Sequence, residues 1–146
     1  MKYYLAYGSN LNVEQMQHRC PGAYIVGTAI IKNYRLMFKG SKTGAYLTIE
    51  PSPGKTVPVA IWAVTRANEA ALDRYEGFPT FYYKKPFKVA YNGKQLDAFA
   101  YIMHEDRVLG RPSDYYVRTC LEGYAEFDFD EKVLYDAVRY SVGGAA

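Results

Sequence analysis

The segment LDRYEGFP places a carboxylate, Glu76, in what reads as the last turn of a helix. The negative end of a helix disfavours an ionised acid there, by roughly 0.3 to 1 kcal/mol, so Lys or Arg would be the structural choice. The same field, with the flanking Tyr75 and Phe78, raises the carboxyl pKa and suits it to accept a proton near neutral pH. The plainer alternative is a solvent-facing Glu paired with Arg74 or a lysine. A second segment, Tyr7-Gly8-Ser9-Asn10-Leu11, packs a strand end, a glycine turn and a helix start into a few residues. Such a junction exposes backbone N–H groups suited to a carboxylate or a polarised carbonyl oxygen. It lacks the lysine of a phosphate loop and the third glycine of a dinucleotide fingerprint, and an ordinary tight turn is the competing reading.

Other chemical side chains are less suggestive. Ser9 sits in no G-x-S-x-G elbow and has no histidine at useful spacing. His18 and Cys20, two residues apart at a helix end, fall on different faces. Cys120 reads as core, His104 as a solvated loop residue, and Asp97 as outward-facing. Lys84, Lys85 and Lys88 read as protection of a sheet edge. Two cysteines outside any C-x-x-C pair and two distant histidines supply neither a disulfide framework nor a metal set, so no metal is expected. A reduced, cytoplasmic setting is the simplest fit.

These residues need elements to hold them. Residues 2–7 read as a strand, and Asn12 with Gln15 caps a short helix over 13–19. Residues 24–38 are one bent strand or two, broken near Gly27 or Lys32-Asn33, and 45–50 is a short strand. Pro51-Ser52-Pro53-Gly54 predicts a turn before a strand at 57–64. Thr65 starts a helix over 66–76 that Gly77 stops. Asn92-Gly93 joins strands 81–91 and 95–103 as a hairpin. Ser113 caps a helix near 114–125, and Asp128 with Glu131 predicts a capping box for a helix at 129–140. The reading is α+β: a mostly antiparallel, barrel-like sheet with helices against it, a single domain over 1–141, and a disordered tail at 142–146.

A chain of 146 residues is one domain's worth. Its unusual feature is 16 tyrosines beside 7 Phe and 1 Trp, which favours strands and a half-wet surface over a helical bundle. Tyr3, Tyr24, Tyr34, Tyr46, Tyr91 and Tyr101 fall on expected strands, as barrel packing. Residues 1–60 carry 7 Lys/Arg against 2 Asp/Glu, a mild attraction for a small anion, but no dense basic stripe for nucleic acid. No run approaches the roughly 18 to 20 apolar residues of a membrane span, and the N-terminal residues form no apolar leader. No membrane or nucleic-acid partner is expected.

YGSNL at the end of the first strand, EGFPTFYY after a central helix, and Pro112-Ser113-x-x-Tyr116 at a helix start resemble the gamma-glutamyl cyclotransferase-like family in order and spacing, over roughly residues 2–125. The resemblance implies a small mixed, mostly antiparallel β-barrel with flanking helices. It implies attack of a gamma-glutamyl α-amine on its own γ-carbonyl, releasing 5-oxoproline and an amine or amino acid, with no cofactor. Glu76 matches the family's acid/base residue. Tyr7, Gly8, Ser9, Asn10 and Leu11 match its glutamyl-binding loop, and Tyr83 (with Tyr82 as the one-residue alternative) and Tyr116 match its pocket tyrosines. The hydroxyls of Tyr7, Tyr83 and Tyr116 are then expected to converge near Glu76. Phe81 stands where many relatives have glycine, a departure that bears on substrate identity. The implied partner is a small gamma-glutamyl molecule, and the expected state a monomer or homodimer. Alternatives are the same reaction on a gamma-glutamyl-protected metabolite or isopeptide, and a non-catalytic barrel holding a small anion or a nucleic-acid strand by tyrosine stacking. A hydrolase using Ser9 or Cys20 is a third.

Overall fold

The computed structural model describes residues 1–143. In chain order the elements are β1 (Lys2–Ala6), a 3-10 turn (Ser9–Leu11), α1 (Val13–Arg19), β2 (Tyr24–Lys39), β3 (Tyr46–Val64), α2 (Arg66–Glu76), β4 (Tyr82–Tyr91), β5 (Lys94–Met103), α3 (Asp114–Glu126) and α4 (Lys132–Gly143). One five-stranded sheet runs β2-β3-β1-β5-β4. Only the β1–β5 pair is parallel; the others are antiparallel. β1 is the middle strand, and Leu5 and Ala6 are completely buried. The continuous apolar run Val57–Val64 of β3 lies beside it, as a strand covered on both faces requires.

The barrel expectation needs correction. Among the described residues no ladder joins the edge strands β2 and β4, so the sheet is curled but open. Side chains bring the edges together: the Tyr91 hydroxyl donates to the Val26 carbonyl at 2.7 Å, and Tyr34 meets Phe87 edge-on at 5.2 Å. Gly27, at a bulge in β2, makes room for this approach, because a Cβ there would lie 2.5 Å from the Tyr91 ring.

The Pro51–Gly54 turn is also corrected. β3 continues through these residues, and the register jumps from Lys32↔Thr56 to Tyr34↔Pro51. Asn33, at φ 63, accepts a hydrogen bond from the Gly54 amide on its side-chain oxygen at 3.0 Å. Turn-forming composition has become an irregularity within a paired strand, residues 52–55 standing opposite Asn33 alone, because β2 supplies a partner on either side of it.

α2 is capped as expected: Thr65 and Asn68 exchange reciprocal bonds, and Gly77 at φ 64 closes the helix. The Asn92-Gly93 hairpin has both residues at positive φ. α4 starts at Lys132, later than expected. Asp128 sits at φ 56, and it is the Asp130 carboxylate that accepts from the Lys132 amide. α4 also runs on to Gly143, so residues 142 and 143 are helical; the remainder of the expected tail lies outside the described residues. Among the described residues no helix is long and apolar enough to cross a membrane.

Candidate active site

β1, α2 and α3 converge on one cavity of about 310 Å³. Its walls include Tyr7, Gly8, Ser9 and Asn10 from the end of β1, Glu76 from the end of α2, and Tyr116 from α3. The loop is seated by α3. Gly123 packs so closely under it that a Cβ would lie 2.6 Å from the Leu11 carbonyl carbon. Asn12 caps α1 by accepting from the Gln15 amide and donates to Glu122 at 2.9 Å. α2 is held by Tyr101, whose hydroxyl donates to Asp73 at 2.6 Å. Lys84 of β4 adds ion pairs to Glu69 at 2.8 Å and Asp73 at 3.1 Å.

Glu76 is the one acidic residue lining the cavity. The residue as a whole is half-buried, yet burial of its carboxylate dominates and raises its pKa from the ordinary 4.5 to about 7. The Arg19 guanidinium opposes that rise. Desolvation, which the sequence could not show, is thus the cause of the rise. The Asn10 side-chain amide donates to Glu76 at 3.4 Å and to the Tyr4 hydroxyl at 2.8 Å. Its oxygen is taken by Arg19, which also lies 3.4 Å over the Tyr75 ring. Tyr75 in turn shares a 3.1 Å hydrogen bond with Ser9 at the mouth.

Two expected site residues fall elsewhere. Tyr83 does not line the cavity. Its hydroxyl donates to Glu105 at 2.5 Å, which with burial pushes its pKa up to about 12. The cavity tyrosine is Tyr82, on the opposite face of β4, donating to the Leu47 carbonyl at 2.7 Å. Leu11 is fully buried beneath the loop and does not reach the cavity. Its amide is spent on the Gly8 carbonyl. The expected meeting of three hydroxyls therefore becomes Tyr7, Tyr82 and Tyr116 around the cavity, with Tyr7 donating to the Tyr101 carbonyl at 2.5 Å. We expect Tyr83→Phe to keep its reaction rate within about twofold, whereas Tyr82→Phe leaves the Leu47 carbonyl unpaired and costs about 1 to 3 kcal/mol of stability. Thermal unfolding and rates measured on both variants check this.

Sequence reasoning missed Tyr4, Arg19 and, as cavity residues, Tyr46 and Tyr101, and it used Tyr75 only as a neighbour of Glu76. Strand composition explained Tyr46 and Tyr101 as packing, and nothing local to Arg19 points to a residue 9 positions earlier in the chain or to Tyr75. The remaining nucleophile candidates recede. Cys20 and Cys120 are buried and free, neither lines the cavity, and burial raises both thiols, Cys120 to about 12. His104 bonds to the Pro79 carbonyl at 2.7 Å, and Asp97 pairs outward with Lys88.

A family model described as gamma-glutamyl cyclotransferase, AIG2-like, matches residues 4–129. The chain belongs to this family. Gamma-glutamylcyclotransferase of Bos taurus is 34% identical over 110 residues, and that of Homo sapiens 35% over 109. Each alignment covers 68% of this chain and 58% of the relative, so the chain spans under two thirds of their length. A solved structure titled gamma-glutamyl cyclotransferase superposes with a TM-score of 0.83 at 28% identity, covering 93% of this chain and 85% of that one. The family match spans both the loop at 7–10 and Glu76.

Proposed function

We propose that the chain is a gamma-glutamyl cyclotransferase in which Glu76 is the general acid/base. The observation that carries the reading is a single carboxylate with a pKa near 7 facing a small cavity beside the Tyr7–Asn10 loop. A carboxylate of that pKa accepts the proton that the α-ammonium of a gamma-glutamyl substrate must lose. The freed amine attacks the γ-carbonyl of the same molecule, and a carbon–nitrogen bond forms as the carbonyl electron pair moves to oxygen. Collapse breaks the original amide bond. Glu76 gives its proton to the leaving nitrogen as that bond breaks, then takes the second proton from the ring nitrogen and passes it to the released amine, which leaves as its ammonium beside 5-oxoproline. The nucleophile belongs to the substrate, so the cavity mainly holds a folded conformer.

A volume of about 310 Å³ is at the small end of ligand sites, about 300 to 1,000 Å³, and suits a dipeptide-sized molecule. The strand-binding alternative is disfavoured by the tyrosines themselves. Tyr4, Tyr7, Tyr82 and Tyr101 are buried rather than displayed as stacking platforms. Two free, buried thiols support placing the protein in a reduced compartment such as the cytoplasm. The test is incubation with gamma-glutamyl amino acids, glutathione, gamma-glutamyl amines and gamma-glutamyl-lysine. The expected result is 5-oxoproline in equal amount to released amine from at least one of them. Absence of 5-oxoproline across the panel would overturn the reading.

A further inference from the structure

We propose that Tyr4 is a catalytic hydrogen-bond donor to the γ-carbonyl oxygen, with Asn10 and Arg19 as the positioning residues that keep its proton directed into the cavity. This rests on the cyclotransferase reading above. The argument is a proton count. A guanidinium can only donate, so the Asn10 atom facing Arg19 must be the oxygen Oδ1. The amide nitrogen Nδ2 then faces the other way and donates to the Tyr4 hydroxyl at 2.8 Å and toward Glu76 at 3.4 Å. The Tyr4 oxygen is therefore an acceptor in this bond and keeps its own hydrogen.

Three of the other cavity hydroxyls have spent theirs. Tyr7 donates to the Tyr101 carbonyl, Tyr82 to the Leu47 carbonyl, and Tyr101 to Asp73. Tyr116 accepts from the Leu47 amide at 3.2 Å and also keeps its hydrogen, but unlike Tyr4 it shares no hydrogen-bonding partner with Glu76 among the described residues. Ser9 and Tyr75 satisfy one another at the mouth. Tyr4 lines the cavity, is 4% exposed, and is held edge-on by Tyr101 at a ring distance of 5.7 Å. Burial also keeps the phenol protonated. One amide nitrogen thus touches both the proposed base and the proposed donor, so the two act on neighbouring atoms of one substrate. When the amine attacks, the oxygen gains charge and its hydrogen bond from Tyr4 strengthens. No proton leaves Tyr4, and Glu76 alone moves the protons from the amine to the leaving nitrogen.

The experiment compares wild type, Tyr4→Phe, Arg19→Met and Arg19→Lys on the substrate of the panel that wild type turns over, measuring kcat, KM and their pH dependence. Tyr4→Phe should lose about 100-fold in kcat with KM within about threefold and the ionisation near pH 7 unmoved. Arg19→Met frees Asn10 to turn its oxygen toward Tyr4, which would claim the proton, so kcat should fall about tenfold; Arg19→Lys, still a donor to that oxygen, should restore most of it. A Tyr4→Phe enzyme with wild-type kcat, or one whose loss lies in KM, overturns the proposal. Should Tyr4→Phe not fold, Arg19→Met carries the test, and wild-type kcat there overturns it equally. A wild type that forms no 5-oxoproline overturns the cyclotransferase reading as well, whereas an active wild type matched by Tyr4→Phe overturns this inference alone.

Discussion

Glu76→Gln is expected to abolish 5-oxoproline release while making the protein more stable above neutral pH. Removing a general acid/base typically costs about 10² to 10⁴ in rate. In the proposed reaction the proton transfers fall to the same carboxylate, so the upper end is expected, read as 5-oxoproline formed per enzyme. The stability change follows from linkage. In the folded chain Glu76 holds its proton until about pH 7, against an ordinary 4.5. Between those values the folded state binds more protons than the unfolded state, so stability falls as pH rises. The contribution is fully present below about pH 4.5 and gone above about pH 7. At about 1.4 kcal/mol per tenfold change in proton affinity, the difference is roughly 3 kcal/mol. Glutamine carries no charge to desolvate. Glu76→Gln should therefore unfold at higher denaturant than wild type at pH 8, and at nearly the same denaturant at pH 4. Equal stability at both pH values would show that the Glu76 carboxylate is not held in a desolvating site. The wild-type rate should rise with pH through about 7, and that limb should be absent from the residual rate of the variant.

Gly123→Ala should be damaging although it lies within α3, in its last turn, and alanine in a helix normally gains up to about 1 kcal/mol over glycine. The added Cβ would lie 2.6 Å from the Leu11 carbonyl carbon, 2.6 Å from the Leu11 Cβ and 2.9 Å from the Asn12 amide nitrogen. Two of these are backbone atoms, which cannot turn aside as a flexible side chain would. Overpacking of this kind costs about 1 to 3 kcal/mol, and contact with backbone puts it at the upper end, so the clash exceeds the propensity gain. The net loss expected is about 1 to 2 kcal/mol. The displaced segment continues into Ser9 and Asn10, so the catalytic rate should fall with stability. Denaturant unfolding and 5-oxoproline assays of the one variant test both, and a variant more stable than wild type would contradict the packing.

Local chemistry put Glu76 at the end of a helix but left a solvent-facing ion pair with Arg74 as the plainer alternative. A helix with Thr65 before it and Gly77 after it has one end, and a carboxylate there is anomalous in any fold. The same holds for the Gly8–Asn10 turn and for the Asn92-Gly93 hairpin, since turn and cap geometry are settled by residues next to one another. Pro51–Gly54 shows the limit. Its composition is that of a turn, yet strand pairing with β2 on both sides absorbs it as an irregularity. Tyr82 and Tyr83 show another. Neighbours on a strand point to opposite faces, and only the packing of β4 against the rest of the sheet decides which one meets the cavity.

The tyrosine excess by itself determined a β-rich chain with amphipathic surface to bury. Which rings would build the site was decided by tertiary structure alone. Tyr4 and Tyr101 come from strands paired in parallel, Arg19 from the end of α1, and Glu76 from α2. The hydrogen bond from Tyr7 to the Tyr101 carbonyl links cavity residues 94 positions apart in the chain. Sequence pattern records what each residue needs from its immediate neighbours. Desolvation, and the direction of a hydroxyl proton, depend on everything packed around a group.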